Sequence, residues 1–167
     1  MMSGNKLWKG DDMLTHYVIM FLMSMVPIVE LRGALVYAAG FDMPIVASYI
    51  ICVIGNMLPV PFILFLFEWA LKFFSRRRWI GPVLQRFWKK EEEKAATIGK
   101  YELFAVFLFV AIPIPGTGAW MGSLIATVLK LKRHQAMLVI LAGVVTAGLI
   151  VSALFYLLPD VFHALIS

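Results

Sequence analysis

Two ionisable side chains, Glu30 and Arg32, interrupt the otherwise apolar stretch Met13–Phe41. Ionisable groups at membrane depth are expensive to bury and are functional candidates by default. A carboxyl can carry a proton, and a guanidinium can bind phosphate or carboxylate groups. Residues two apart in a helix point to different faces, so an unwound backbone between Pro27 and Gly33 would help the pair share a cavity. The alternatives are that the two charges merely neutralise each other or lie at a surface.

The second candidate is a break in the apolar stretch Tyr101–Leu129, with the sequence Pro113-Ile114-Pro115-Gly116-Thr117-Gly118. Proline disfavours helix in the residue before it, and glycine permits a tight reversal. The amides of residues 116–119, at the start of the following helix, could bind an anion. The alternative is a bare hairpin tip in which Thr117 caps that helix.

The composition places these residues in a membrane protein. The chain has 167 residues, of which 62% are hydrophobic and 15% charged. Its mean hydropathy is +0.88, which excludes an ordinary globular enzyme. Three stretches carry no charge at all and exceed the roughly 20 residues that a spanning helix needs: Met43–Phe67, Leu103–Leu129 and Gln135–Pro159.

The net charge of +5 is not a nucleic-acid footprint, because the excess lies in loops between apolar stretches, where basic residues set membrane orientation. We expect Cys52, the single cysteine, to be a small core residue. The sequence offers no metal-ligand spacing, nucleotide-binding loop or nucleophile elbow, so we expect no cofactor, metal or enzymatic activity.

Two similar units follow from the order of elements. Each has a broken apolar segment and then a long helix, and the basic stretch Lys72–Lys100 between them has the spacing of an amphipathic surface helix. The first long helix, Ile45–Phe74, should be loosened by Gly55-Asn56 and by Pro59 and Pro61; the second is Ala136–Leu158. We treat residues 1–167 as one membrane domain, with repeats at about 13–74 and 101–159 and a linker at about 75–100.

The loop charges predict how the broken segments run. If the basic stretch and Lys130–Arg133 both lie in the cytoplasm, Tyr101–Leu129 must enter and leave on one side as a re-entrant hairpin. By analogy Met13–Phe41 dips in from the opposite face, although its first arm is almost long enough to cross. The predicted fold is all-α, with two inverted-topology repeats, as in secondary transporters. Asn56 would face the cavity between the two tips and could hydrogen-bond one of them; the alternative is that it only joins neighbouring helices.

Both broken segments resemble the paired signatures of the bacterial and archaeal "putative small multidrug export protein" family, which is distantly similar to DedA or VTT-type membrane proteins. The resemblance rests on Pro27–Ala34 and Pro113–Trp120 and covers nearly the whole chain. It implies opposed re-entrant hairpins and a transport role. DedA-type relatives are implicated in moving lipid carriers such as polyprenyl phosphates and in proton-dependent drug tolerance. The second motif here has no arginine, which departs from the DedA pattern.

The sequence therefore predicts a multi-pass transporter or flippase in the inner membrane of a prokaryote. Its partners would be protons and membrane lipids, and it would form a homodimer. Its substrate would be a small amphipathic molecule with an anionic head, such as a lipid-linked phosphate. One alternative is proton-coupled export of cationic drugs, with Glu30 on the substrate. Another is a non-transporting scaffold that acts through the basic surface helix.

Overall fold

The computed structural model describes residues 10–75, 98–114 and 116–157, and within these ranges the regular structure is entirely helical. The helices are α1 Gly10–Met25, α2 Glu30–Gly40, α3 Ile45–Met57, α4 Val60–Ser75, α5 Ile98–Ala111, α6 Ala119–Val128 and α7 Arg133–Leu157. Most of the surface helix expected at Lys72–Lys100 lies outside the described residues.

Two helical stretches are long and apolar enough to cross a bilayer. Ile45–Leu71 has 27 residues with mean hydropathy 2.4, and Arg133–Phe155 has 23 residues with mean hydropathy 2.6. The helices α3 and α4, which form the first stretch, also present a row of large exposed apolar side chains at helical spacing: Ile50, Ile54, Leu58, Phe62, Phe65, Leu66, Trp69 and Phe73. A continuous apolar face of this kind is stable against lipid and not against water. The fold is that of a helical membrane protein.

The first long stretch bends at one of the two places the sequence suggested. α3 ends at Met57 and α4 begins at Val60, next to Pro59, which lacks an amide hydrogen and disfavours helix before it. The expected loosening at Gly55-Asn56 is wrong, because both residues lie inside α3. Gly55 instead permits a close approach to α1. A Cβ there would overlap the Ser24 hydroxyl and stand 2.8 Å from the Phe21 carbonyl oxygen.

The shorter helices pair into two hairpins, α1 with α2 and α5 with α6. At the open end of the first hairpin, His16 Nδ1 lies 2.6 Å from the Tyr37 hydroxyl, and Met13 and His16 adjoin Met43 and Pro44. α3 packs on the first hairpin and α7 on the second. Further contacts join the units: α2 and α3 both pack on α7, and α6 packs on α4. The buried core runs through all of these contacts, including Met20, Leu35, Val106, Val110 and Ile140.

The second arms of both hairpins end with the same backbone motif. Asp42 and Lys130 follow α2 and α6 with φ of 53° and 52°, and aspartate tolerates this left-handed region better than most residues. In each case two amides bond back to the last turn, which is the Schellman arrangement. The bonds are Asp42 N to Ala39 O, Met43 N to Ala38 O, Lys130 N to Thr127 O and Leu131 N to Ala126 O, at 3.0–3.2 Å.

Candidate functional site

The breaks of the two hairpins meet. We call residues 25–32 the first tip and residues 112–120 the second tip. The first tip ends in the opening turn of α2, where Glu30 has a positive φ of 50° and is buried. In the second tip the chain reverses at Gly116, whose φ of 86° glycine adopts without steric cost. Side chains from each tip reach the backbone of the other.

The Glu30 carboxylate lies at the N-terminus of α6. The Trp120 amide donates to Glu30 Oε1 at 3.4 Å. Gly118, the N-cap residue, supplies no side-chain cap, and a Cβ at this position would overlap the Glu30 carboxyl group. A helix N-terminus favours negative charge, since its first amides lack partners in the helix. The sequence suggested that the amides of residues 116–119 could bind an anion; in the structure the Glu30 carboxyl group lies at the next amide, that of Trp120.

Arg32 binds the other helix end at the second break, the C-terminal end of α5. Its Nη1 donates to the Ile114 carbonyl, and its Nη2 lies 2.9 Å from the Ile112 carbonyl oxygen and 3.2 Å from that of Val110. These carbonyls belong to the end of α5 and the residues just after it, where positive charge is favourable. Glu30 and Arg32 thus contact the two helix ends that face the second break.

Thr117 completes the carbonyl cluster rather than capping α6. Its hydroxyl lies 2.8 Å from the Ile114 carbonyl oxygen and 2.9 Å from that of Ile112, as the donor. Arg32 Nη2 in turn lies 3.2 Å from Thr117 Oγ1 and 3.3 Å from the Thr117 carbonyl oxygen. The interpretation of Thr117 as the N-cap is therefore wrong, because α6 begins at Ala119 and Gly118 is its N-cap.

The second tip returns the contact through Trp120. Its indole Nε1 donates to the carbonyl of Met25, the last residue of α1, at 3.1 Å. From the sequence, Trp120 suggested only an interfacial or packing role. The one available signal was its position two residues after a glycine that opens a helix. The carbonyls of Val110, Ile112 and Met25 carry no sequence signal at all, because every residue has one.

Asn56 closes the site from α3. It lines a small cavity of about 10 Å³ together with Glu30, Arg32, Gly118 and Val144, roughly the volume that one water needs. Asn56 is only 2% exposed, and within the described part of the chain its Oδ1 has no hydrogen-bond donor. An unpaired acceptor at this depth costs free energy.

The structure thus gathers Glu30, Arg32, Asn56, Thr117 and Gly118 at one place. Gly116 is exposed, with open space where a Cβ would be, so its role there is the reversal. The remaining predicted positions stand around the tips: Pro27 and Pro113 are exposed in the breaks, Gly33 packs on Val29, and Pro115 lies outside the described residues. Among the described residues no group of three His, Cys, Asp or Glu is placed to hold a metal ion.

Fold and site together define a helical membrane protein whose polar residues converge between two broken apolar segments. The family model described as "Putative small multi-drug export protein" matches residues 30–150, from Glu30 at the end of the first tip through the second tip and most of α7. The chain belongs to this family. Its description is that of an exporter, which is a transporter rather than an enzyme. No curated protein and no solved structure matches the chain.

Proposed function

We propose that this family member exports an amphipathic molecule with an anionic head group through the contact between the two tips, with Glu30 as the coupling proton carrier. One observation carries the proposal: the Glu30 carboxylate occupies an anion-binding helix N-terminus in the other hairpin. An internal carboxylate in that place is a stand-in for the carboxylate or phosphate of a substrate.

The depth of the site supports transport. Val144 lines the cavity and stands at the midpoint of the stretch Arg133–Phe155. Asn56 lines the same cavity and stands near the middle of Ile45–Leu71. Secondary transporters place their substrate sites near the bilayer midplane, where interrupted helices expose backbone groups. A scaffold that acts through its surface has no need of charged groups at this depth.

Helix lengths support re-entrant hairpins. α2 has 11 residues and α6 has 10. At 1.5 Å per residue they extend about 15–17 Å, roughly half of a hydrocarbon core about 30 Å thick. Backbone that breaks at this depth must be buried in protein or line water, and the contacts between the tips bind several of its carbonyls.

A repeated separation along the chain supports two equivalent units. Asp42 and Lys130 end the second arms in the same motif. Gly55 and Gly143 are separated by as many residues as Asp42 and Lys130. Both glycines allow close approach to a first arm: Gly55 to the Phe21 carbonyl, and Gly143 to that of Phe107. Equal spacing at both structural landmarks is expected of an internal duplication.

That separation also relates the residues of the site. Arg32 and Trp120 are the same number of residues apart in the chain, and each side chain donates to a carbonyl at the end of the other unit's first arm. The same separation connects Glu30 with Gly118, which contact each other. Equivalent residues in mutual contact lie near a two-fold axis. An axis through the site would let the two units exchange roles, which is how inverted repeats open a site to alternate sides.

Side-specific labelling tests this topology. Cysteines would be placed one at a time at Gly40, Lys132 and Gln85 in a Cys52→Ala background. Gly40 is exposed with nothing near its Cβ position, and Lys132 is also exposed. We expect an impermeant maleimide to label Gly40 from outside the cell, and to reach Lys132 and Gln85 only after the membrane is opened. Labelling of Lys132 from outside would make Tyr101–Leu129 a plain span and overturn the inverted-repeat proposal.

Proton coupling follows from competition for the α6 N-terminus. A deprotonated Glu30 holds the Trp120 amide. Protonation neutralises the carboxylate, weakens its attraction to the helix end, and allows the anionic head of a substrate to take its place. The neutral carboxyl group also gains a hydrogen that it can donate, directly or through a water, toward the Asn56 Oδ1 acceptor. Proton uptake by Glu30 and substrate binding at the α6 N-terminus would therefore be coupled.

A lipid-scrambling assay tests the proposed substrate and coupling. Proteoliposomes would carry a trace of fluorescent phosphatidic acid, with dithionite bleaching as the readout and a pH gradient imposed. We expect the native chain to move the probe at a rate that depends on the gradient. Glu30→Gln should abolish that dependence, and Arg32→Lys should abolish movement, because an ammonium reaches fewer of the carbonyls that hold the second tip. Asp42→Asn, which removes a carboxylate remote from the tips, is the matched control.

Each competing function predicts a different pattern. If ethidium rather than the lipid phosphate is transported, and Arg32→Lys is tolerated while Glu30→Gln is inactive, the substrate is cationic and the anion proposal fails. If neither variant changes any transport, and charge reversal at Arg76–Arg78 removes the cellular phenotype, the scaffold explanation is correct instead.

A further inference from the structure

Three buried side-chain oxygens lack a hydrogen-bond partner within the described residues: Ser48 Oγ, Asn56 Oδ1 and Ser152 Oγ. These residues are 0%, 2% and 5% exposed. A buried helical hydroxyl commonly bonds to the carbonyl four residues earlier, as Ser123 does with Ala119 at 2.6 Å. Ser48 and Ser152 also lie in helices, yet make no such bond. Because most buried polar groups are bonded to protein or to ordered water, all three oxygens are expected to have a partner.

Two of these oxygens lie on one face of α3. Ser48 and Asn56 are eight residues apart, with Cys52 midway between them, and all three residues are buried. Residues four apart share a helix face. At about 1.5 Å per residue the row extends about 12 Å, from the first turn of α3 to the cavity that Asn56 lines with Glu30. The row therefore leads from the end of the bundle at Asp42 toward the tips.

Ser152 faces the same row from α7, which packs on α3. Next to Ser48, the Tyr49 hydroxyl donates to the Val145 carbonyl at 3.0 Å, and a Cβ at Gly148 would stand 2.8 Å from the Tyr49 ring. Ser152 is one turn beyond Gly148 and shares its face of α7. On each helix these contacts lie between the serine and the residue that lines the cavity, so the two serines are at the same end of the bundle. We call four side chains the polar seam: Ser48, Cys52, Asn56 and Ser152.

We propose that the polar seam binds buried water molecules that carry protons between the Asp42 end of the bundle and the Glu30 carboxyl group. Buried water bonds to polar groups that the protein itself leaves unsatisfied, and a hydroxyl can accept one hydrogen bond while it donates another. Each transfer breaks one O–H bond and forms the next, so no co-reactant is consumed. The inference rests on the proposed role of Glu30 as proton carrier, and it adds the route and the side, which the proposed topology places outside the cell.

The spacing of the oxygens favours water over a bound cation. The ligands of a metal ion converge on one point at about 2.0–2.6 Å, whereas Ser48 and Asn56 are two helical turns apart. A row of separate acceptors fits a row of waters instead. At the inner end, Glu30 and Arg32 are the ionisable residues that line the cavity. Arg32 is directed at carbonyls of the second tip, so Glu30 is the group in the cavity that can accept the proton.

Infrared spectroscopy of the full chain in lipid bilayers tests the seam through Cys52, the single cysteine, whose thiol gives one S–H stretching band. After transfer to D2O we expect the native chain to lose this band before its helical amides exchange, although Cys52 is fully buried. Ser48→Ala with Ser152→Ala should slow the loss about tenfold, since each hydroxyl holds water by a hydrogen bond. The matched control is Ser123→Ala, which removes a buried hydroxyl already bonded within its helix and should exchange like the native chain.

A second infrared band reports arrival at Glu30. At low pH the carbonyl stretch of the protonated Glu30 side chain, identified by its absence in Glu30→Gln, should shift on deuteration, and the double serine variant should delay that shift. The proposal is overturned if native Cys52 exchanges no sooner than the amides, or if Ser123→Ala slows exchange as much as the double variant. It is also overturned if the double variant changes neither band, or delays the thiol alone. If both bands behave as expected while the lipid assay shows no transport, the exporter proposal fails and the proton path stands.

Discussion

Replacing Arg32 with methionine is expected to destabilise the protein by about 1.5–3 kcal/mol, which is the usual scale for hydrogen bonds that involve a charged group. The guanidinium binds carbonyls of Val110, Ile112 and Ile114. Methionine keeps the length of the side chain and removes every donor. Denaturant titration of the detergent-solubilised chain, followed by circular dichroism, measures the loss.

The Thr117 hydroxyl provides an internal control for that result. Thr117→Ser keeps the oxygen that bonds Ile112, Ile114 and Arg32, and should be within about 0.5 kcal/mol of the native chain. Thr117→Val keeps the shape, removes the hydroxyl, and should cost about 1 kcal/mol. If Arg32→Met and Thr117→Val are both as stable as the native chain, the second tip is not held by this cluster, and its carbonyls are satisfied in another way.

Much of this architecture was predictable because membranes simplify the physics. A helix across a bilayer must be long and uncharged, so Ile45–Leu71 and Arg133–Phe155 were evident from composition, within a few residues at each end. Ionisable groups inside such a sequence are rare and expensive, so Glu30 and Arg32 stood out. Proline and glycine marked both breaks. These signals are local, and they are strong for the same reason that lipid is a poor solvent for polar groups.

The partners of those residues were not predictable, because they depend on how the hairpins meet. The sequence suggested that the tips would present a charged pair opposite free amides. In the structure Glu30 accepts from the Trp120 amide, one residue beyond the predicted set 116–119, and Arg32 binds carbonyls that belong to apolar residues. Gly55 illustrates the same limit: it looked like a weak point in its helix, and it is a contact with α1. The role of a glycine depends on which neighbour approaches it.

Gly118→Ala adds only one methyl group, and we expect it to lower both the stability and the transport activity of the protein strongly. The added methyl group would occupy the position of the Glu30 carboxyl group, and both residues are buried. Forcing a methyl group into a filled site costs about 1–3 kcal/mol, and displacing the carboxylate from the α6 N-terminus adds to that cost. We expect a loss of more than 2 kcal/mol and loss of gradient-dependent transport. Gly40→Ala, with open space at its Cβ, is the control that should change neither measurement.

A double-mutant cycle separates this contact from a general intolerance of alanine at the start of α6. Glu30→Gly removes the carboxyl group and suits the positive φ of 50° at that position. If the two residues compete for one space, Gly118→Ala should cost much less in the Glu30→Gly background, with a coupling of at least about 1 kcal/mol. Additive effects would mean that the carboxylate lies elsewhere. The argument for an internal anion at the α6 N-terminus would then fail. Strong coupling would instead show that the two tips share one space, which a transported anionic head can enter only after Glu30 leaves it.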